Sequence, residues 1–291
     1  MNRTIDPKDN GCFPSDDIVA RLTERARFIR LETIRLTEIA KTGHYSSVFS
    51  AAEVFAALYY DVMKLRPGDP RWPGRDRFTI GKGHAAIGLY PVFADLGFFP
   101  KEWLDDYTRL GSPLGDHPDM RKVPGVDFSS GSIGHALSNG LGMALAQRWT
   151  GEDYRVFCMM GDGEMQEGQV WEAALAASHH KLCNLIAIID RNGYQLDGRV
   201  DDVMTIEPLA DKWRAFGWEV HEVDGHDLVA VTELLRRVRA DSERSTPCCI
   251  IARTLKGKGV SYMETDPGWH LGYLDQQDAT AAIAEINGKE I

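Results

Sequence analysis

The sequence has no long hydrophobic run. None of its apolar stretches approaches the ~20 residues that a membrane-spanning helix needs. Its first residues, MNRTIDPKDNGCF, also lack the apolar core of a secretory signal. These absences predict a cytoplasmic protein with no membrane contact.

Basic residues are also fewer than acidic ones. Lys and Arg number 33 against 43 Asp and Glu, which leaves a net charge of −10 at pH 7. Such a surface repels nucleic acid and anionic membranes, so neither is an expected partner. The charge does not exclude a phosphorylated small molecule, because a bound divalent cation and histidines can reverse the field locally.

Cysteines are few and carry no metal pattern. There are five of them, an odd number, with no CxxC spacing of the kind that binds zinc. Cys158, Cys183, Cys248 and Cys249 lie in or beside apolar runs. We therefore expect all five to be reduced, small residues of the core.

The order of the apolar segments predicts the fold class. Apolar residues make up 43% of the 291, enough for a sizeable core. From the middle of the chain onward, strand-like runs alternate with helix-like segments, and no repeat or clear linker interrupts them. The sequence predicts a flexible arm over 1–14. Residues 15–291 then form a single doubly wound α/β domain, with a mainly parallel sheet and helices on both faces.

One βαβ unit carries the clearest chemical signal. An apolar run over 156–160 ends in Gly-Asp-Gly, and a second run over 185–189 ends in Asp-Arg-Asn-Gly. The two strands would therefore release Asp162 and Asn192 at the same edge of the sheet, where ligands of α/β proteins bind. Mg²⁺ favours such carboxylate and amide oxygens when a phosphate shares the ion.

Four histidines lie in short turns next to predicted element ends. They are His44, His84, His117 and His270, each preceded closely by glycine. A single histidine in a turn is more often an ordinary surface residue. Imidazoles brought together in one site would suit proton transfer near neutral pH.

The GDG triplet with Asn about thirty residues later resembles the motif that binds thiamine diphosphate through Mg²⁺. The surrounding words GDGEMQEGQVWEA and IIDRNGYQLDG resemble the transketolase family in particular, and the match runs from about Glu32 to Leu271. The resemblance implies the thiamine-diphosphate-binding fold. It also implies thiamine diphosphate and Mg²⁺ as cofactors.

Roles for individual residues follow from the resemblance alone. The four histidines would surround the reacting carbon of the cofactor and the sugar hydroxyls, and Glu167 would act near a subunit interface. Mg²⁺ would be held by Asp162, Asn192 and the backbone carbonyl of Tyr194. The cofactor would contact Gly131, Ile133, Gly161, Asp162, Gly163, Glu164 and Asn192.

The resemblance also implies a partner chain. A complete transketolase has a second α/β domain with the glutamate that helps the cofactor lose its C2 proton, and this sequence ends after the first domain. We therefore expect the N-terminal subunit of a split transketolase. It would work with a separately encoded C-terminal subunit, in an α2β2 assembly, on sugars or sugar phosphates. The reaction would move a two-carbon ketol group from a ketose to an aldose.

Two rival interpretations stay open. One is a component of another thiamine-diphosphate enzyme, of the 2-oxo acid dehydrogenase or decarboxylase type. The other is a non-catalytic module with the same fold. His135 replaces a glutamine of the common GPLGQG stretch, which leaves its role open. Lys256 and Lys258 could add positive charge near the site, but solvated loop lysines are the favoured interpretation.

Overall fold

The computed structural model describes residues 12–196, 198–264 and 266–288. The predicted arm over 1–14 therefore lies almost entirely outside the described residues. No helix in the described part of the chain is both long enough and apolar enough to cross a bilayer.

The chain begins with helices. Two aspartates occupy the first turn of the first helix, where negative charge is favourable. That helix stops where Lys41 adopts a left-handed φ of 58°. The helical elements before the sheet are α1 (Asp16–Ala40), α2 (Tyr45–Phe49), α3 (Ala52–Ala57) and a π-helical turn (Leu58–Val62).

Strands and helices then alternate. The first part comprises β1 (Arg77–Ile80), a 3-10 turn (Gly83–Ala85), α4 (Ala86–Asp95), a 3-10 helix (Lys101–Asp106), α5 (Ala136–Thr150), β2 (Val156–Gly161), a 3-10 turn (Gly163–Gln166), α6 (Gly168–His179) and β3 (Leu185–Arg191). The second part comprises β4 (Tyr194–Gln195), β5 (Gly198–Arg199), α7 (Val200–Met204), α8 (Leu209–Ala215), β6 (Glu219–Asp224), α9 (Leu228–Ala240), β7 (Cys248–Arg253), α10 (Ser261–Glu264), a 3-10 turn (Pro267–His270) and α11 (Gln276–Ile286).

Five strands form one parallel sheet in the order β1-β2-β3-β7-β6, and β4 with β5 forms a separate small hairpin. Alternate strand residues point to opposite faces. Phe157 and Met159 join the core that includes residues of α1, α3, α4 and α9. Cys158 and Met160 join a second core with residues of α5, α6 and α8. The predicted fold class is confirmed: a parallel sheet with helices on both faces, which is why its strands are apolar on both sides.

This topology gathers distant loops. Because the strands are parallel, the loops after β1, β2, β3 and β7 all leave from one edge of the sheet. The connection from β6 returns through α9, on the face opposite α5, α6 and α8, and inserts β7 beside β3. Gly81, Asp162, Asn192 and Lys256 consequently lie within a few residues of the same edge.

The expectation for the cysteines is only partly right. Cys158, Cys248 and Cys249 are buried strand residues, as expected. Cys183 is exposed, because the chain turns at Lys181 with a φ of 50° and β3 begins only at Leu185. Cys12 is half-buried.

Candidate active site

A cavity of about 420 Å³ opens at the carboxyl edge of the sheet. Most of the residues singled out from the sequence line it. They are His84, Ile133, Gly161, Asp162, Gly163, Glu164, Glu167, Asn192, Tyr194 and His270. The other three, His44, His117 and Gly131, lie next to these lining residues, as the distances below show.

The four histidines form one cluster around His44. The centre of its ring lies 5.0 Å from that of His84, 5.4 Å from that of His270 and 6.3 Å from that of His117. His84 and His270 are 5.3 Å apart. A Cβ built on Gly131 would lie 3.4 Å from Cδ2 of His117, so Gly131 lies within van der Waals distance of that ring. Four separate turns thus meet at one point.

Two of these imidazoles are neutral at pH 7. Burial, followed by the positive charge of Lys82, holds the pKa of His84 well below its usual range. Burial, followed by the charge of Lys256, lowers the pKa of His270 to about 3. Nζ of Lys256 lies 2.8 Å from Nδ1 of His270 and donates to it. The neutral ring of His270 must therefore carry its proton on Nε2.

A carboxylate links the other two histidines. Oδ1 of Asp116 lies 3.4 Å from Nδ1 of His44, and Oδ2 lies 3.3 Å from Nδ1 of His117. Burial works to raise the pKa of Asp116, but the contact with His44 and the charge of both rings leave it below its ordinary value. Asp116 thus lies between the two rings and was not singled out from the sequence.

Asp162 joins the turns that end β2 and β3. Its Oδ1 accepts the N–H of Gly163 at 2.8 Å, and its Oδ2 accepts the N–H of Gly193 at 2.6 Å. Nη1 of Arg191 donates to the same Oδ2 at 3.1 Å. Burial raises the pKa of this carboxyl to about 6, despite the Gly193 hydrogen bond. A divalent cation would reverse that effect, because it favours the charged form.

The guanidinium of Arg191 occupies Oδ2 of Asp162, where such a cation would bind. This guanidinium also lies 3.2 Å from carboxylate oxygens of both Asp201 and Glu207. It can therefore turn away from Asp162 and keep two ionic partners.

Asn192 is held by a buried network under the cavity. Its Nδ2 donates to Asp190 at 3.1 Å, and its Oδ1 accepts the N–H of Tyr194 at 3.1 Å. Asp190 is fully buried, pairs with Lys82, and accepts a 2.6 Å hydrogen bond from Ser50. Burial opposes ionisation of Asp190, yet the Lys82 charge holds its pKa below the ordinary value. The amide of Asn192 is thereby fixed in one orientation.

Two lysines of the cavity were not among the predicted site residues. Lys82 and Lys256 both line it, and each is only 3% exposed. The expectation that Lys256 is a solvated loop lysine is wrong, because the loop after β7 folds back over the sheet edge. Burial, followed by the Lys82 charge, lowers the pKa of Lys256 to about 8. Lys258 lies 3.9 Å from Glu264 with its side chain 40% exposed, as a solvated lysine would be.

Glu164 ties three glycine turns together. Its Oε1 accepts the N–H of Gly134 at 2.7 Å and its Oε2 accepts the N–H of Gly161 at 3.2 Å. A Cβ on Gly81 would lie 2.0 Å from Oε1, so only glycine leaves room for this carboxylate. Burial raises the pKa of Glu164 to about 7, against the effect of the two N–H donors. Since its oxygens are occupied by the backbone, Glu164 positions the turns.

The mouth of the cavity is lined by Ile133 and Glu167. The side chain of Ile133 is 37% exposed and Glu167 is also exposed. His135 is exposed as well, with Nδ1 3.2 Å from the carbonyl of Ile133, and does not line the cavity. Its contact is thus within its own turn.

The donor set suits a hard cation that carries a phosphorylated group. Asp162, Asn192 and the Tyr194 carbonyl offer oxygen atoms only, which Mg²⁺ prefers over nitrogen or sulfur. Two buried lysine ammonium groups lie on the same cavity. Among the described residues the cavity therefore combines oxygen atoms of the kind that bind a hard cation with positive charge that suits an anion.

Comparison with known proteins shows which family this chain is similar to. Residues 21–288 match the family described as transketolase, thiamine diphosphate binding domain. The chain is 41% identical over 256 residues to a subunit of the apulose-4-phosphate transketolase of Phocaeicola vulgatus, and the match covers 87% of this chain and 90% of the relative. It is also 41% identical over 270 residues to a 6-deoxy-6-sulfo-D-fructose transketolase subunit of Clostridium sp., where the match covers 91% and 96%.

Solved structures agree. The transketolase of Campylobacter jejuni superposes with a TM-score of 0.84 at 28% identity, over 95% of this chain and 44% of the longer one. A Pichia stipitis transketolase complex with sedoheptulose 7-phosphate gives 0.85 at 27% identity, over 92% and 41%. The chain thus spans less than half of these longer chains but nearly all of the two subunits above.

Proposed function

Because this chain belongs to the transketolase thiamine diphosphate-binding family, we propose that it is the cofactor-binding subunit of a two-chain transketolase. The reaction is the transfer of a two-carbon ketol group from a ketose to an aldose. One observation carries the proposal: Asp162 hydrogen-bonds the turn that holds Asn192, at a cavity beside four clustered histidines.

The proposed cofactors are Mg²⁺ and thiamine diphosphate. Asp162, Asn192 and the carbonyl of Tyr194 hold the metal, with Lys82 and Lys256 adding positive charge for the diphosphate. When bound, thiamine diphosphate supplies the carbon nucleophile and electron sink that ketol transfer requires. Gly131, Ile133, Gly161 and Gly163 supply backbone and apolar contacts at its edges.

The histidines manage protons and sugar hydroxyls. His270 presents Nε2–H as a hydrogen-bond donor, since Nδ1 accepts from Lys256. His84 is neutral and offers one donor and one acceptor. His44, whose Nδ1 is 3.4 Å from Asp116, lies between these rings and His117. Such a cluster can orient a polyol and move a proton to or from its hydroxyls.

The partner is a second, separately encoded chain. The two relatives at 41% identity are named as transketolase subunits, and this chain covers 90% and 96% of them. We propose an α2β2 assembly in which the partner covers the mouth at Ile133 and Glu167 and supplies the glutamate that activates the cofactor. The substrates are sugars or sugar phosphates, and the assembly works in the cytoplasm.

Reconstitution tests the proposal. The purified chain is mixed with its partner, Mg²⁺ and thiamine diphosphate, and assayed for ketol transfer between candidate ketoses and aldoses. Both chains together are expected to turn over, and each alone to be nearly inert. Full activity of this chain alone would refute the shared site. Release of CO₂ from a 2-oxo acid would reassign the enzyme to the decarboxylating class, and unchanged activity in Asp162→Ala would make the chain a non-catalytic module.

A further inference from the structure

A second cluster of side chains that can bind metal lies at the amino ends of the strands, opposite the carboxyl edge where the cavity opens. Glu219, His221 and Cys248 each present a ligand atom, and these atoms all lie within 4.8 Å of one another. Glu219 and Cys248 are the first residues of β6 and β7. Both strands are six residues long, about 20 Å, and run toward the carboxyl edge of the sheet, where the cavity lies. The cluster is therefore remote from Asp162 and Asn192.

Strand geometry brings the three side chains to one face. Glu219 and His221 are two apart on β6, so they point to the same side of the sheet. Glu219 is the register partner of Cys248 on β7, whose side chain packs in the core on that side. Two residues of one strand and a paired residue of its neighbour thus form a triangle. This arrangement does not depend on any flexible loop.

We infer that Glu219, His221 and Cys248 form a site for a zinc-class divalent ion at the amino ends of β6 and β7. Sulfur, imidazole and carboxylate together suit Zn²⁺, whereas Mg²⁺ requires oxygen ligands. Bonds of about 2.0–2.3 Å separate tetrahedral ligand atoms by roughly 3.3–3.7 Å, so small side-chain rotations close the site. Three protein ligands would leave the fourth position of a tetrahedral ion to water or another small ligand.

The charges balance at this position. A thiolate and a carboxylate together neutralise the charge of one divalent ion, and an imidazole ligand adds no charge of its own. Nε2 of His221 lies 2.6 Å from Oε1 of Glu219, a contact made by the proton that the ion would replace. Arg244 is nearby, but its donors are used by the carbonyls of Val238 and Cys183.

Cys248 makes the site selective for thiophilic ions. Because the metal ligand is the thiolate, an ion must displace the proton of the thiol, and thiophilic ions do so far better than Mg²⁺ or Ca²⁺. Binding would tie the edge strand β6 to β7, and a ligand that binds only the folded chain stabilises it.

The experiment uses the full-length chain, stripped of metal and kept reduced, and titrates it with CoCl₂ and ZnCl₂ alone. Co²⁺ is expected to bind one equivalent with a thiolate charge-transfer band near the ultraviolet edge, and Zn²⁺ to displace it. Cys248→Ser should lose the band, and His221→Gln should weaken binding at least tenfold. Zn²⁺ should raise the melting temperature of the wild type by several degrees and that of His221→Gln by much less.

Matched controls separate this site from adventitious surface binding. Cys183→Ser removes an exposed sulfur and His179→Ala removes an exposed imidazole, and both should bind Co²⁺ as the wild type does. His221 is half-buried at the edge strand, so His221→Gln remains interpretable even if Cys248→Ser folds poorly. A band that survives in Cys248→Ser, disappears in Cys183→Ser, or never forms overturns the inference. None of these readouts depends on ketol transfer.

Discussion

Nζ of Lys256 donates a 2.8 Å hydrogen bond to Nδ1 of His270. The loop after β7 and the 3-10 turn at Pro267–His270 are thereby joined inside the cavity. Burial, followed by the charge of Lys256, keeps the imidazole of His270 neutral, and the hydrogen bond sets its tautomer. This arrangement costs stability, because an ammonium group 3% exposed has lost most of its water.

We predict that Lys256→Met makes the cofactor-free chain more stable and cofactor binding weaker. The pKa of Lys256 falls from 10.5 to about 8 on burial, which corresponds to at most about 3 kcal/mol. Met fills similar volume without charge, so a gain of about 1–3 kcal/mol at pH 7 is expected. Urea unfolding measures it, and titration with thiamine diphosphate measures the loss of affinity.

The pH dependence of this gain has a definite sign. Below about pH 8 Lys256 is protonated in both states, so the folded wild type carries the whole penalty. Between pH 8 and about 10.5 the folded state releases the proton first, and the wild type gains stability relative to the variant. A difference that stays constant from pH 7 to pH 10 would contradict the assignment.

Magnesium binding should be sensitive to acid through Asp162. Burial raises the pKa of this carboxyl to about 6, so below that pH an ion must displace a proton. The apparent Mg²⁺ affinity is expected to fall about tenfold for each pH unit below 6. Calorimetric titrations with Mg²⁺ and thiamine diphosphate between pH 5 and 8 would show this slope. Asp162→Asn should bind more than about 100-fold more weakly with no such slope.

Gly81→Ala should be strongly destabilising. The new Cβ would lie 2.0 Å from Oε1 and 2.2 Å from Oε2 of Glu164, which must then leave the N–H groups of Gly134 and Gly161. Overpacking and two unmet backbone donors are together expected to cost about 3 kcal/mol or more in urea unfolding.

A glycine within helix α5 provides the matched control for Gly81→Ala. A Cβ on Gly142 meets no atom within 4 Å, so Gly142→Ala should stabilise by up to about 1 kcal/mol. Glu164→Ala should reduce the cost of Gly81→Ala when the two are combined. Strict additivity of the pair would disprove the steric account.

His226 should affect the cavity without touching it. Its Nε2 accepts the N–H of Leu255, next to Lys256, at 2.8 Å, and its Nδ1 lies 3.1 Å from Glu53. Glu53 in turn pairs with Arg30 at 2.7 Å. His226→Ala removes the acceptor of a backbone donor, so thiamine diphosphate affinity should fall by about tenfold, or 1–2 kcal/mol. His226→Gln, whose amide oxygen can accept the same N–H, should recover part of it; equal losses in both would exclude this role.

Much of the molecule was predictable because its signals are local. The apolar runs over 156–160 and 185–189, each ended by glycine-rich polar turns, are enough to place two parallel strands and to bring Asp162 near Asn192. The start of helix α9 (Leu228–Ala240) is also set locally, since the side chain of Asp227 accepts the N–H of Ala230. The four histidine turns came from the family resemblance, and the structure brings them into one cluster.

What depends on strand order could not be read from the sequence. Lys256 is buried at the cavity because β7 is inserted between β3 and β6, and Asp116 reaches two histidines only once the long loop after α4 has folded. The pairing of Glu219 with Cys248 has the same origin. The amino-acid sequence by itself determined the elements, the ligand-bearing turns and the family. The tertiary structure alone decided which distant charges share one cavity, because burial and proximity are properties of the packed sheet.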